Sequence, residues 1–139
     1  MALLFPSREW AEEFMAVLNR DAEFAKAGAT WEGDLNFVIQ NLPGKDTNAV
    51  IYLDLWHGSC RGVDFMEEAN ARPAAFKIAA PLANWKRVIN KQIGPIPAMV
   101  SGQLKVYGNL AYILRHVASS QRMVECAVSM NTVLPDENL

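Results

Sequence analysis

Residues 54–60 contain the three side-chain types that a nucleophilic enzyme combines. Cys60 offers a thiol, His57 an imidazole that could serve as its base, and Asp54 a carboxylate that could orient the imidazole. Two features argue against catalysis: a predicted turn at His57-Gly58 separates base from thiol, and no glycine-rich oxyanion elbow precedes Cys60. We therefore expect structural roles for all three residues and a protein that is not an enzyme.

The sequence also lacks the residues that a metal or cofactor site needs. Neither His57 nor His116 has a second histidine at ligand spacing. Cys60 and Cys126 are two thiols in a chain long enough to bury a core without disulfides, which favours a reducing, cytoplasmic compartment. The sequence thus predicts inert thiols, no metal and no other cofactor.

Composition and charge exclude further classes of protein. The chain has 139 residues, 51% of them hydrophobic, and a net charge of −2. No block of like charges offers a surface for nucleic acid, and no apolar run reaches the roughly 18 residues that a membrane span needs. We expect one soluble domain over residues 1–139, frayed at 1–6 and 135–139, without a secretory signal.

Five segments alternate apolar and polar residues, which is typical of strands with one buried and one wet face. Residues 31–66 hold three of them, with a tight turn at His57-Gly58, and so predict an antiparallel meander. In its last hairpin Asp64 falls on the apolar face unless a β-bulge shifts the register, so we expect a bulge. Two more strands are expected at residues 74–80 and 103–107.

Helical periods occupy most of the remaining chain. We predict an amphipathic helix over residues 7–19, a short helix after Asp21, a third from Pro81 and a long last helix over 109–130. The pair Ser119-Ser120 interrupts the apolar stripe of the last helix, which indicates a kink or a second helix there. The sum is an α+β fold: a five-stranded, mainly antiparallel sheet covered on one face by helices.

The order of these elements, together with residues 94–109, resembles the sterol carrier protein 2 family. In that family a glycine loop and a short helix lead into a Gly-x-Leu-x-Val/Ile-x-Gly-Asp/Asn strand. Here its positions are filled by Gly102, Leu104, Val106, Gly108 and Asn109. The first half agrees through residues 31–34, the strand 51–55, Gly58 and Cys60, so the likeness covers nearly the whole chain.

The resemblance implies a function as well as a fold. It implies an internal apolar cavity between sheet and helices that holds fatty acids, fatty acyl-CoA, phospholipids or sterols, with no catalysed reaction. The last residues, Glu137-Asn138-Leu139, differ from a Ser-Lys-Leu signal, which indicates a stand-alone, bacterial-type member rather than a peroxisomal one.

The walls of such a cavity come from apolar stripes that face each other across the sheet and the helices. Each buried methylene of a ligand gains about 0.8 kcal/mol, so apolar walls suffice for binding. The candidate ligand-binding residues are Phe37, Leu53, Phe76, Ile78, Trp85, Met99, Val106, Ile113 and Val117. The same residues would form an ordinary packed core if no cavity were present.

Two surfaces could bind partners other than a lipid ligand. One is an apolar patch on the outer sheet face, formed by Val38, Val50, Tyr52 and Trp56. Such a patch needs cover, and it supports an alternative in which the domain forms a homodimer or docks onto an enzyme without a physiological lipid. The other is a basic cluster formed by Lys86, Arg87 and Lys91. It is either an ordinary solvated face or a transient contact with an anionic membrane surface.

Overall fold

The five predicted strands pair into one sheet in the computed structural model, which describes residues 2–135. In chain order the helices and strands are β1 (Leu3–Leu4), α1 (Arg8–Asn19), α2 (Ala22–Ala27), β2 (Glu32–Gln40), β3 (Ala49–Trp56), β4 (Ser59–Glu67), β5 (Phe76–Pro81), α3 (Leu82–Ile89), α4 (Pro95–Val100), β6 (Lys105–Tyr107), α5 (Leu110–Leu114), α6 (Val117–Val128) and β7 (Thr132–Val133). The sheet has the order β4-β3-β2-β5-β6, and its neighbours are antiparallel except for β2 and β5. The predicted α+β fold is confirmed.

The first two helices begin where their capping residues lie. The Ser7 hydroxyl accepts a hydrogen bond from the Trp10 amide at 3.1 Å. The Asp21 carboxylate accepts one from the Phe24 amide at 2.9 Å. Each cap satisfies an amide that the first helical turn leaves without a partner, which determines where the helix starts.

The turn between β3 and β4 is determined by its backbone and by a neighbouring helix. His57 and Gly58 have φ angles of 50° and 82°, as two-residue hairpin turns of matching twist require. A Cβ on Gly58 would lie 2.3 Å from the carbonyl oxygen of Ala25, so only glycine lets the turn pack against α2. The register of the hairpin shifts between Leu53 and Leu55, which confirms the expected bulge.

The bulge also gives Asp64 a partner outside the core. Asp64 lies opposite Tyr52 instead of Ile51. Its carboxylate accepts a hydrogen bond from the Arg8 guanidinium at 2.8 Å, and this bond holds the pKa of Asp64 below its ordinary value. Helix α1 is thereby attached to strand β4.

The outer face of the sheet is covered at Val38 and Val50, contrary to the expected apolar patch. Val38 and Val50 are buried, at 1% and 0% exposure. Residues 68–75 carry the chain from β4 to β5 across this face and shield both valines. Of the four expected patch residues, Tyr52 is half-buried and Trp56 is exposed. The predicted patch is wrong, because alternation along a strand does not show which connection will cross its face.

The ends of the chain also differ from expectation. Strand β1 pairs in parallel with β7, and Phe5 is buried with its ring edge-on to Trp10 at 4.8 Å. The expectation of a frayed start therefore does not hold for residues 3–5, which bury apolar side chains. Of the predicted frayed ends, residues 1 and 136–139 lie outside the described part of the chain. No helix within residues 2–135 is long and apolar enough to cross a membrane.

The last predicted helix is two helices, and the break lies earlier than the sequence indicates. Helix α5 ends before Arg115, and α6 starts after His116, whose backbone is not helical. The His116 ring lies against Trp31, and its Nδ1 is 2.9 Å from the carbonyl oxygen of Tyr112. The pair Ser119-Ser120 therefore lies inside α6 rather than at a kink.

Candidate functional site

An apolar cavity lies between the inner sheet face and the helices. Its volume is about 100 Å³. Strands β2, β3 and β5 contribute one wall, and α1, α3, α4, α5 and α6 contribute the others. All side chains that line it are apolar except those of Ser119 and Ser120. The cavity is smaller than the roughly 300–1,000 Å³ of sites that enclose a drug-sized ligand.

Five of the nine sequence-predicted ligand residues line this cavity. They are Phe37, Ile78, Trp85, Met99 and Ile113. The other four do not line it: Leu53, Phe76, Val106 and Val117. Side-chain alternation identifies the inward face of an element, but it does not show how far along that face the cavity extends.

The four predicted residues that do not line the cavity lie elsewhere in the fold. Leu53 is fully buried within the core, and the Phe76 ring packs 5.1 Å from Trp31 between ring centroids. Val106 is half-buried in edge strand β6, and Val117 is half-buried at the first position of α6. These positions support the fold around the cavity rather than its surface.

Sequence reasoning chose Val117 of α6 for the cavity wall and missed the residues of this helix that line it. Residues Ser119, Ser120, Met123, Val124 and Ala127 of this helix all line the cavity. They lie at i, i+1, i+4, i+5 and i+8, the spacing of one helical face. The available signal was the serine pair inside an apolar stripe, which marks the cavity-facing side of α6.

The aromatic lining residues have their polar atoms bound to the protein. The indole N–H groups of Trp10, Trp31 and Trp85 donate to the Thr132 hydroxyl, the Gly33 carbonyl and the Val38 carbonyl at 2.9, 2.8 and 3.0 Å. Buried indoles usually find such partners. These bonds orient the three rings and leave apolar surfaces facing the cavity.

A larger, charged groove of about 520 Å³ adjoins the cavity and shares Val88, Pro95 and Val124 with it. The Lys91 Nζ atom lies 2.6 Å from the Glu125 carboxylate at this groove. Arg122 lies there too and donates to the Asp21 carboxylate at 2.7 Å. The groove therefore contains cations that already have acidic partners.

The side chains that could suggest catalysis are held apart. Burial raises the pKa of Cys60 to about 11, so its thiol stays protonated at neutral pH. The His57 Nε2 atom lies 2.6 Å from Glu32, and Arg61 donates to Asp54 at 3.1 Å. None of these bonds joins the imidazole to the thiol, so the geometry is not that of an activated cysteine.

The second thiol is similarly unreactive in its surroundings. Cys126 is buried in α6, and burial raises its pKa to about 11. Its Sγ atom lies 3.5 Å from the Asp21 carboxylate, whose charge adds to the effect. Within residues 2–135, no group of three histidine, cysteine or acidic side chains could hold a metal ion.

Comparison with known proteins relates this cavity to a family. The model of the SCP-2 sterol transfer family matches residues 14–118. The chain belongs to this family. A crystal structure of sterol carrier protein 2 is 31% identical to this SCP-2 family member, with a TM-score of 0.83, over 89% of this chain and 97% of that chain.

A second relative is bacterial. The solution structure of a conserved hypothetical protein from Thermus thermophilus is 31% identical, with a TM-score of 0.83, over 91% of this chain and 90% of that chain. Apo sterol carrier protein 2 from Yarrowia lipolytica, at 17% identity and a TM-score of 0.56, covers 86% of this chain and 89% of its own and shows the shared fold alone. No curated protein matches the chain. The resemblance seen in the sequence is confirmed, and SCP-2 family membership supports lipid binding or transfer in general.

Proposed function

We propose that this protein binds one lipid non-covalently, with the apolar part of the lipid in the cavity, and carries it without catalysing a reaction. The candidate ligands are a fatty acid, a fatty acyl-CoA, a phospholipid or a sterol. The observation that carries the proposal is a cavity inside the protein whose walls are apolar except for two serines. Transfer of methylenes from water to such a wall is favourable by about 0.8 kcal/mol each.

A complete acyl chain needs more room than the cavity offers, so part of its wall must move. Met99 and Met123 line the cavity and have flexible, unbranched side chains that adapt to differently shaped ligands. The adjoining groove next to Lys91 and Arg122 gives a charged head group a polar place outside the apolar cavity. This division suits an amphiphile, with its chain inside and its charged end, where it has one, in the groove.

Carriage in the cytoplasm, with brief contact to an anionic membrane, is the finer part of the proposal. The contact would use the basic cluster of Lys86, Arg87 and Lys91, each cation near the surface adding about 1 kcal/mol. Lys91 would have to exchange its bond to Glu125 for a lipid head group. Co-sedimentation with anionic and with neutral vesicles tests this contact, and equal binding to both would contradict it.

The alternative is a domain that docks onto an enzyme without a physiological lipid. The apolar surface that supported this alternative is not exposed at its two valines. Val38 and Val50 are buried, so the apolar patch expected to need a protein partner is not exposed. A homodimer remains a separate prediction. Sedimentation at low micromolar concentration tests it, and a monomer would contradict it.

Native mass spectrometry of freshly purified protein, followed by solvent extraction, tests lipid carriage without a guess about the ligand. We expect a co-purifying lipid, or uptake of an added C16 lipid, at a ratio near one per chain. The matched control is the Met99→Trp variant, whose side chain should occupy the cavity. A protein that neither carries nor takes up any lipid would contradict the proposal.

A further inference from the structure

Charge is distributed unevenly along this chain, although its net charge is only −2. Residues 69–124 contain eight lysine and arginine residues, and all fifteen acidic residues lie outside this segment. The segment supplies β5, α3, α4, β6, α5 and most of α6. Strands β6 and β4 form the two edges of the sheet, and α1 is bonded to β4 through Arg8 and Asp64. The side of the protein at β6 is therefore basic, and α1 belongs to the opposite side.

Two cations of this basic side have no acidic partner within residues 2–135. Arg87 donates a hydrogen bond to the side-chain oxygen of Gln103, and the Lys105 Nζ atom lies 5.6 Å from the ring centre of Tyr107. Arg87 and Lys105 are both exposed. Because their partners are uncharged, their positive charge remains available to an anionic surface.

The most exposed large apolar side chain of the described residues lies next to these cations. Val100, the last residue of α4, is 65% exposed. The Gln103 side chain that accepts from Arg87 also donates to the Ser101 hydroxyl at 3.3 Å, so Arg87 is bonded to the loop that follows Val100. Residues 92–104 contain no charged side chain. Val100 thus protrudes from an uncharged segment that basic residues border.

A bilayer that contains anionic lipids complements both features. Its head groups attract the cations, and its acyl region offers Val100 an apolar environment. A nucleic acid would match the charge alone. We propose that α4 is the element that enters an anionic bilayer, with Val100 inserted below the head groups and Arg87 and Lys105 bound to them. This inference rests on the proposed function and identifies the part of the protein that meets the membrane.

Insertion of α4 relates membrane contact to lipid uptake. Met99, the residue before Val100, lines the cavity. The wall that borders the cavity is therefore the wall that meets the bilayer, so a lipid can pass between the two without exposing its acyl chain to water. Helix α1 faces away from the bilayer, because its three glutamates outnumber its single arginine and anionic lipids repel them.

Co-sedimentation with two sets of vesicles, phosphatidylcholine alone and phosphatidylcholine with phosphatidylglycerol, tests this inference. Val100→Gln removes the apolar side chain without adding charge. Its control is Leu4→Gln, since Leu4 is 45% exposed in β1, outside the basic segment. Lys105→Gln removes one cation, and its control is Lys26→Gln, which alters an exposed lysine of α2. Uptake of a C16 lipid in solution, without vesicles, is measured for every variant.

We expect Val100→Gln to weaken binding to the anionic vesicles at least about fivefold, because an inserted valine side chain leaves water. Lys105→Gln should weaken it about fivefold at low ionic strength, the effect of one cation near an anionic surface. Neither control should change it by more than about twofold. Uptake of the C16 lipid in solution should be the same in all four variants as in the wild type.

Equal vesicle binding by Val100→Gln and wild type would overturn the insertion of α4 and leave the proposed function intact. Failure of the wild type to sediment with either set of vesicles would also overturn it, and would favour a protein with an acidic surface as the partner of the basic side. A wild type that takes up no lipid in solution would overturn the proposed function and this inference with it.

Discussion

Two helical walls of the cavity are held in place by different forces. The α1 wall, together with the adjoining helix α2, is attached by directional polar bonds. Asn19 donates to the Cys60 carbonyl at 2.8 Å and accepts from the Cys60 amide at 2.7 Å. Arg8 bonds to Asp64, and Asp21 to Arg122 of α6. These bonds lose energy steeply when their geometry changes, so this wall keeps its position.

The α4 wall has no such attachments. Its helix starts at Pro95 without a side-chain cap, and no side chain from Gln92 to Val100 makes a hydrogen bond within residues 2–135. Its inward side chains, Ala98 and Met99, are held by apolar contacts alone. Beyond its C-terminal end, α4 is linked by the Leu104 amide, which donates to the Ala98 carbonyl at 3.0 Å. Apolar contact is not directional, so the rest of α4 can shift about this link. The comparison indicates that α4, rather than α1, yields when a lipid enters.

The largest expected effect comes from filling the cavity at the yielding wall. We expect Met99→Trp to weaken binding of a C16 lipid at least about tenfold, because the larger side chain occupies the space of the ligand. The measurement is dye displacement, with circular dichroism to establish the fold. Val100→Trp is the control, since Val100 is next in the same helix and 65% exposed. Similar binding by Met99→Trp and wild type would remove α4 from the site.

A second prediction concerns the rigid wall. Asn19→Ala leaves the backbone amide and carbonyl of buried Cys60 without their partner, so we expect a loss of about 1–3 kcal/mol in the free energy of unfolding. Urea unfolding measures it. The control is Asn90→Ala at the end of α3, where the side chain makes no hydrogen bond in the described structure and the loss should stay below about 0.5 kcal/mol. Equal losses in the two variants would contradict the difference between the walls.

The smallest expected effect depends on pH. Hydrogen bonds from Arg122 hold the pKa of Asp21 well below its ordinary value in the folded protein. A pKa lowered by folding contributes stability above the unfolded pKa of about 4, and this contribution is lost as pH falls towards the folded pKa. Asp21→Asn keeps a capping oxygen but removes the charge. We expect the variant to be less stable than wild type at about pH 7, and the difference to shrink below about pH 4.

Urea unfolding at several pH values measures this difference. Asp46→Asn is the control, because Asp46 is exposed and makes no ion pair within the described residues. We expect that variant to follow the wild type at every pH. A stability difference for Asp21→Asn that stays constant in acid would exclude the charge of Asp21 as its cause.

Several features could be predicted from the sequence because they depend on neighbouring residues. Ser7 and Asp21 cap their helices through amides three residues away, and the turn at His57-Gly58 is determined by local backbone angles. The bulge that moves Asp64 off the apolar face also followed from alternation within one hairpin. Short-range hydrogen bonds and sterics decide all of these.

Other features depend on which distant segments meet. Ser119 and Ser120 interrupt an apolar stripe, a pattern that suits a kink at that point. The break lies instead at His116, whose ring packs on Trp31 from a distant part of the chain. The coverage of Val38 depends on the path of residues 68–75 across the sheet. Neither outcome can be read from the periodicity of a single segment.

The sequence by itself determined the fold class, the family and the apolar character of the inward faces, since periodicity and motif order are properties of the chain alone. Only the tertiary structure decided that these faces leave a gap between them, and that Met99 lines it and Leu53 does not. The physical reason is that a cavity is the space that packing leaves unfilled, and its position depends on all the surrounding elements together.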